Sequence, residues 1–167
     1  MALLDIIKFP ARILKAKTQK VSDFDGPLHL LLDNMRDTMY AAEGIGLAAP
    51  QINVARQITV VDVGRDESEL REFINPTITA REGKVESEEG CLSIPDFRAT
   101  IMRSEKVQVN AYDRYGKEFV LDADGLLAIC LQHEIDHLDG VLFIDRMSQL
   151  KREMFMKKFR KFGATVE

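Results

Sequence analysis

Asp124-Gly-Leu-Leu-Ala-Ile-Cys-Leu-Gln-His133-Glu134-Ile-Asp-His137-Leu-Asp-Gly140 is helical by its pattern and chemical at its centre, where residues 133–137 form an HExxH motif. Residues four apart are neighbours on one helix face. Both imidazoles can therefore converge on one metal ion, and Glu134, next to His133, can lean towards a water on it. Leu126, Leu127, Ile129, Leu131, Ile135 and Leu138 put apolar side chains on nearly every side, as in a helix packed all round. Asp124 suits the N-cap and Gly140 the C-terminal stop. A chance HExxH would be expected on a solvated face. In an apolar helix, a Glu and two His are costly to bury without a partner. A metal removes that cost.

The chain has 167 residues, which fits one domain over 1–167. With 46% hydrophobic and 30% charged residues it has the composition of a soluble globular protein. No apolar run reaches the length of a membrane span, and no signal-peptide pattern opens the chain, so a cytoplasmic location is expected. Net charge is −4, unevenly spread. Lys151, Arg152, Lys157, Lys158, Arg160 and Lys161 against Glu153 and Glu167 give the last 17 residues +4, leaving −8 on the other 150. An acidic body with a basic tail points to a polyanionic partner for the tail, against the simpler reading of a solvated helix face.

Either side of the HExxH stretch, the pattern predicts an extended lead-in over 3–9, a helical turn over 11–16 and a helix over 27–42. In that helix Leu28, Leu31, Leu32, Met35 and Met39 recur at steps of three and four. His29 reads as a surface residue without a partner. Gly44-Ile-Gly-Leu-Ala-Ala-Pro-Gln51 reads as a loop with unusual backbone angles and a close approach by another group. No strand-GxGxxG-helix context or P-loop lysine follows, so a nucleotide site is excluded. Alternation of β-branched with polar residues predicts strands over 57–63, 72–75, 77–81, 98–102, 106–113 and 118–121. Turns are predicted at 64–68, Asn75-Pro76, Gly83 and Tyr115-Gly116. The short connections imply antiparallel pairing. A final helix over 145–162 sets Met147, Leu150, Met154, Phe155, Phe159 and Phe162 opposite the basic residues. The expected fold is α+β: antiparallel sheets packed around a central metal-binding helix, with an N-terminal and a C-terminal helix.

Two histidines do not complete a catalytic metal site. Asp139 lies about 200° round the helix from His137, and Cys130 about 10 Å of helical rise away. Asp145 is no better placed. Cys91, in Glu88-Glu-Gly-Cys-Leu-Ser-Ile-Pro95, sits in a segment read as irregular and free of helical constraint. It is the candidate third ligand, with a buried structural cysteine as the alternative.

Three motifs now stand in order: Gly44-Ile-Gly-Leu-Ala-Ala-Pro-Gln51, Glu89-Gly-Cys-Leu-Ser93 and Gln132-His-Glu-Ile-Asp-His-Leu-Asp-Gly140. Together they resemble peptide deformylases of the bacterial type, over nearly the whole chain. The resemblance implies removal of the formyl group from N-terminal formyl-methionine of new polypeptides. It implies a metal on Cys91, His133 and His137, ferrous iron by habit of the family with zinc or nickel as substitutes. Glu134 would be general base and acid, and the Gln51 side chain and Leu92 N–H would hold the oxyanion. Ile45, Leu126, Ile129 and Cys130, with Glu89 and His133 nearby, would line the methionine pocket. Gly46 and its neighbour Gly44 would meet the peptide backbone. The expected partners are formylated nascent peptides and, through the basic helix, the ribosome near the nascent-chain exit, with no membrane and no DNA. The alternatives are a non-catalytic ribosome-associated metal-binding protein and a metallopeptidase.

Overall fold

The computed structural model describes residues 3–64 and 69–162. Among them are three α-helices, α1 (Gly26–Ala41), α2 (Gly125–Leu138) and α3 (Gln149–Phe162). Seven strands accompany them: β1 (Gly46–Ala48), β2 (Ile58–Val61), β3 (Arg71–Glu82), β4 (Val85–Cys91), β5 (Ile94–Arg103), β6 (Lys106–Tyr112) and β7 (Glu118–Asp124). Five of the strands make one antiparallel sheet in the order β1-β2-β3-β6-β7, and β4 and β5 make a separate hairpin. The expected α+β arrangement is what the chain adopts.

Helix α1 starts where Asp25 Oδ1 accepts from Leu28 N at 3.2 Å, with Pro27 in the first turn, where a missing N–H costs nothing. Leu28, Leu32, Met35 and Met39 are fully buried and pack with Ile58, Val60 and Ile74 on one face of the sheet. Val61, Phe73, Val107 and Val109 face the other way, against Ala128, Leu131 and Ile135 of α2. Strand β2 is therefore buried on both faces, which explains its uninterrupted apolar run. A third cluster joins Ile94 and Ile101 of the hairpin to Leu14, Phe143, Ile144 and Phe155. Helix α2 thus lies between the large sheet and the hairpin.

The structure corrects several sequence-based expectations. Asn75-Pro76 is no turn: β3 runs through it with a register shift between Ile74 and Thr77. Proline cannot donate to a ladder, so a bulge is its natural place in a strand. Residues 85–91, read as irregular, form β4. Residues 46–48, read as loop, pair with β2. His29 is no lone surface residue, since its Nε2 lies 2.7 Å from the Arg114 carbonyl and its ring meets Tyr115 edge-on. The final helix begins at Gln149, after a separate 3-10 turn over Phe143–Arg146. Phe155 is buried and Phe159 packs edge-on against Phe9, but Leu150 and Met154 are exposed. The turn expected at 64–68 falls mostly outside the described residues. Asp124 takes the N-cap position of α2 without a capping bond from its side chain. Gly140 ends α2 at φ +73°, and a Cβ there would stand 2.4 Å from the Lys15 carbonyl oxygen. Both the backbone angle and the space demand glycine.

Candidate metal and catalytic centre

Helical spacing places His133 and His137 one turn apart on α2, with ring centroids 5.0 Å from each other. Cys91 comes from the end of β4, just before a two-residue reversal at Leu92 and Ser93. That tip is held by the lead-in, where Phe9 N donates to Ser93 O at 2.8 Å. The thiol sulphur of Cys91 lies 3.4 Å from His137 Nε2. One donor atom from each of Cys91, His133 and His137 lies within 4.8 Å of the others. Ligands at about 2.0–2.3 Å on tetrahedral corners stand roughly 3.3–3.8 Å apart, so small rearrangements close this triangle around one ion. One thiol and two imidazoles are also a donor set suited to zinc or ferrous iron.

Surrounding bonds set the direction of each group. His133 Nδ1 lies 3.0 Å from Glu89 Oε1, which keeps a proton on Nδ1 and turns Nε2 towards the other donors. Burial alone would raise the Glu89 carboxyl, but hydrogen bonds from Arg103 and His133 outweigh it and hold it at about 2. Glu134 is buried with Oε1 unpartnered, as is His137 Nδ1. Burial pushes Glu134 up to about 7, against the opposing charge of His133. Gln51 is oriented without ambiguity: Ala48 N donates to its Oε1 at 2.9 Å, so its amide NH2 points to Cys91 Sγ and Ser93 Oγ at 3.6 and 3.2 Å.

These groups stand at one cavity of about 730 Å³. Its lining includes Gly44, Ile45, Gly46, Gln51, Glu89, Cys91, Leu92, Leu126, Ile129, Cys130, His133 and Glu134. Every candidate residue from the sequence except His137 therefore borders it, and His137 stands behind Cys91. The two glycines of the first motif serve close approach, with no positive φ at either. A Cβ on Gly46 would stand 2.5 Å from Glu134 Oε2 and 2.9 Å from Cys130 Sγ, and one on Gly44 2.8 Å from Leu92 Cδ1. Burial pushes the Cys130 thiol well up, with the charges of Glu134 and Glu89 adding to it. It is a neutral wall of the cavity, with Sγ 3.7 Å from Ile45 O.

The family model described as polypeptide deformylase matches residues 3–153. The chain belongs to the peptide deformylase family. A peptide deformylase of Thermodesulfovibrio yellowstonii is 53% identical over 162 residues, covering 96% of this chain and 98% of that protein. One from Pseudoalteromonas translucida is 47% identical over 167 residues and the full length of both. A crystal structure of a peptide deformylase from Legionella pneumophila superposes with a TM-score of 0.92 at 45% identity, covering 99% of this chain and 100% of that one. Another, from Synechococcus elongatus in complex with actinonin, gives 0.88 at 40% identity, covering 93% and 86%. Family membership and the Cys/His cluster together support one metal ion in this deformylase-family chain. No helix of the described residues is long and apolar enough to cross a membrane.

Sequence reasoning missed Arg103, Asp136 and Ser93 around this site, as well as Phe97 and Arg98, which border the cavity. A signal for Arg103 existed. It follows Ile101 at the two-residue period of a strand and so faces inward with it.

Proposed function

We propose that the chain, as one domain over 1–167, hydrolyses the formyl group from N-terminal formyl-methionine of nascent polypeptides. The observation that carries this reading is a buried carboxyl, Glu134, with one oxygen unpartnered, in the same cavity wall as the Cys91, His133 and His137 cluster. The proposed ligands are those three residues, with ferrous iron as the native ion and zinc or nickel able to replace it. When bound, a divalent ion polarises the formyl carbonyl and acidifies water beside it.

The chain's own groups do the rest. Glu134 takes a proton from the attacking water and returns it to the amine that leaves. The Gln51 amide, fixed by Ala48 N, and the Leu92 N–H at the hairpin tip stabilise the developing oxyanion. Strand β1 is an edge of the sheet, so an extended peptide adds beside Gly44, Ile45 and Gly46 like a further strand. Ile45, Leu126, Ile129 and Cys130 offer the methionine side chain an apolar slot, with Glu89 behind it holding His133. The flexible thioether suits such irregular space.

Formyl-Met, acetyl-Met and unmodified Met peptides, assayed side by side, test the reading. Hydrolysis of the formyl peptide is expected, with much weaker action on the acetyl peptide, whose extra methyl must fit where Gln51 and Leu92 crowd the carbonyl carbon. Equal formyl and acetyl rates would defeat the proposal, and cleavage of internal bonds would make the chain a metallopeptidase.

The exposed face of α3 is the proposed contact with the ribosome, near the nascent-chain exit and in the cytoplasm, where ribosomal RNA supplies phosphates. Deleting 151–167 would also strip Phe155 and Phe159 from Phe9 and Phe97, so charge reversal is the cleaner test. Replacing the exposed Lys151, Lys157 and Lys158 by Glu should leave short-peptide hydrolysis intact and weaken a salt-sensitive ribosome association. Unchanged sedimentation with ribosomes would reduce the basic run to a solvated face.

A further inference from the structure

The hairpin that supplies Cys91 and the helix that supplies both histidines are separate elements, and one buried guanidinium bridges them. Arg103, on β5, is only 4% exposed. Its Nε and Nη2 donate to the two oxygens of Glu89 at 2.8 Å each, and its Nη1 donates to Asp136 Oδ2 at 2.6 Å. Glu89 lies two residues before Cys91 on β4, and its Oε1 is the atom that faces His133 Nδ1. Asp136 lies between His133 and His137 on α2. A chain of bonds therefore runs from helix to guanidinium, to carboxylate, and back to the ring of a proposed ligand.

We propose that Arg103 is a positioning residue of the metal centre. Its fork fixes the plane of the Glu89 carboxylate, which fixes the His133 ring, while its bond to Asp136 sets the spacing of hairpin and helix. Two parallel bonds orient a carboxylate; the point charge of a lysine holds it at one place and leaves its plane free. An ion cluster that served stability alone would be replaceable by apolar packing. One that ends on a ligand's ring alters how that ligand meets the ion. A second clamp on α2 follows directly after β5, through backbone atoms that do not depend on the Arg103 side chain: Ser104 N donates to Gln132 Oε1 at 2.9 Å, and Gln132 Nε2 donates to Ser104 O at 2.8 Å. Altering Arg103 therefore leaves the two elements attached.

The inference rests on the metal reading above, and cobalt titration of the full chain after chelation separates the two. The readouts are the dissociation constant for Co²⁺, the visible absorption bands of the cobalt-loaded protein, and circular dichroism for folding. Arg103→Lys should stay folded, bind Co²⁺ about 10–100-fold more weakly and show shifted bands. Arg146→Met is the control. Arg146 bonds both oxygens of Asp136 at 2.7 Å from a half-exposed position and has no bond to Glu89. Its loss should lower the melting temperature and leave cobalt affinity and bands unchanged. Wild-type affinity and bands in Arg103→Lys would overturn the proposal, as would an equal shift in Arg146→Met. Should Arg103→Lys not fold, Glu89→Gln carries the same test, and unchanged bands there overturn it. A wild-type chain that takes up no cobalt would overturn the metal reading, and this inference with it.

Discussion

Cys91→Ala is expected to empty the metal site and abolish deformylation together, whereas Cys130→Ala should leave the metal in place. The two thiols stand in different physical situations. Cys91 ends a strand at a hairpin tip, 3.4 Å from His137 Nε2 and within reach of the Gln51 amide. Cys130 is buried, neutral and directed at a backbone carbonyl. Removing one of three protein donors leaves two imidazoles, too few to close a catalytic site. Cys91→Ser should be nearly as severe, because a neutral hydroxyl is a poor substitute for a thiolate. Cys130→Ala removes a small buried group and should cost about 1 kcal/mol of stability, with some loss of substrate affinity. Metal analysis of the purified variants, followed by activity per bound ion, checks both. An empty site in Cys130→Ala with a filled one in Cys91→Ala would overturn the ligand assignment.

How much of this was legible in the sequence depended on whether a residue's pattern matched its element. Helices α1 and α2 carry apolar residues at helical spacing, and their ends fell within a residue or two of expectation. Strand β4 was invisible because Glu86, Ser87, Glu88 and Glu89 have low strand propensity and show no apolar alternation. It is a strand because β5 pairs with it. Its inward positions, Ser87 and Glu89, are polar because they face the site. The same blindness hid Arg103, whose partners come from two other elements. Helix α3 failed differently. Its apolar residues suggested one continuous buried side, but Phe155, Met156 and Phe159 pack against the cluster under the hairpin while Leu150 and Met154 project into solvent. The glycines at 44 and 46 were read correctly as sites of close approach, though no sequence pattern tells that a carboxyl approaches one and a leucine the other.

That close approach at Gly46 bears on the second large effect expected, in Glu134→Gln. Glutamine has the shape of glutamate, and Glu134 already fits beneath Gly46 with no room for a Cβ between them. The substitution should therefore leave the packing of α2 undisturbed. Glu134 is not among the three clustered donors, so the metal content should stay the same. What the amide cannot do is accept the proton of the attacking water and return it to the amine. Turnover should fall by about 10²–10⁴-fold, the range for loss of a positioned general base. The measurement is kcat for a formyl-Met peptide per bound metal ion, alongside KM, which should change little if Glu134 acts on the reacting atoms and leaves peptide binding alone. Near-normal turnover in fully loaded Glu134→Gln would remove Glu134 from its assigned role, and the cavity's chemistry would then have to be carried by the metal and the Gln51 amide alone.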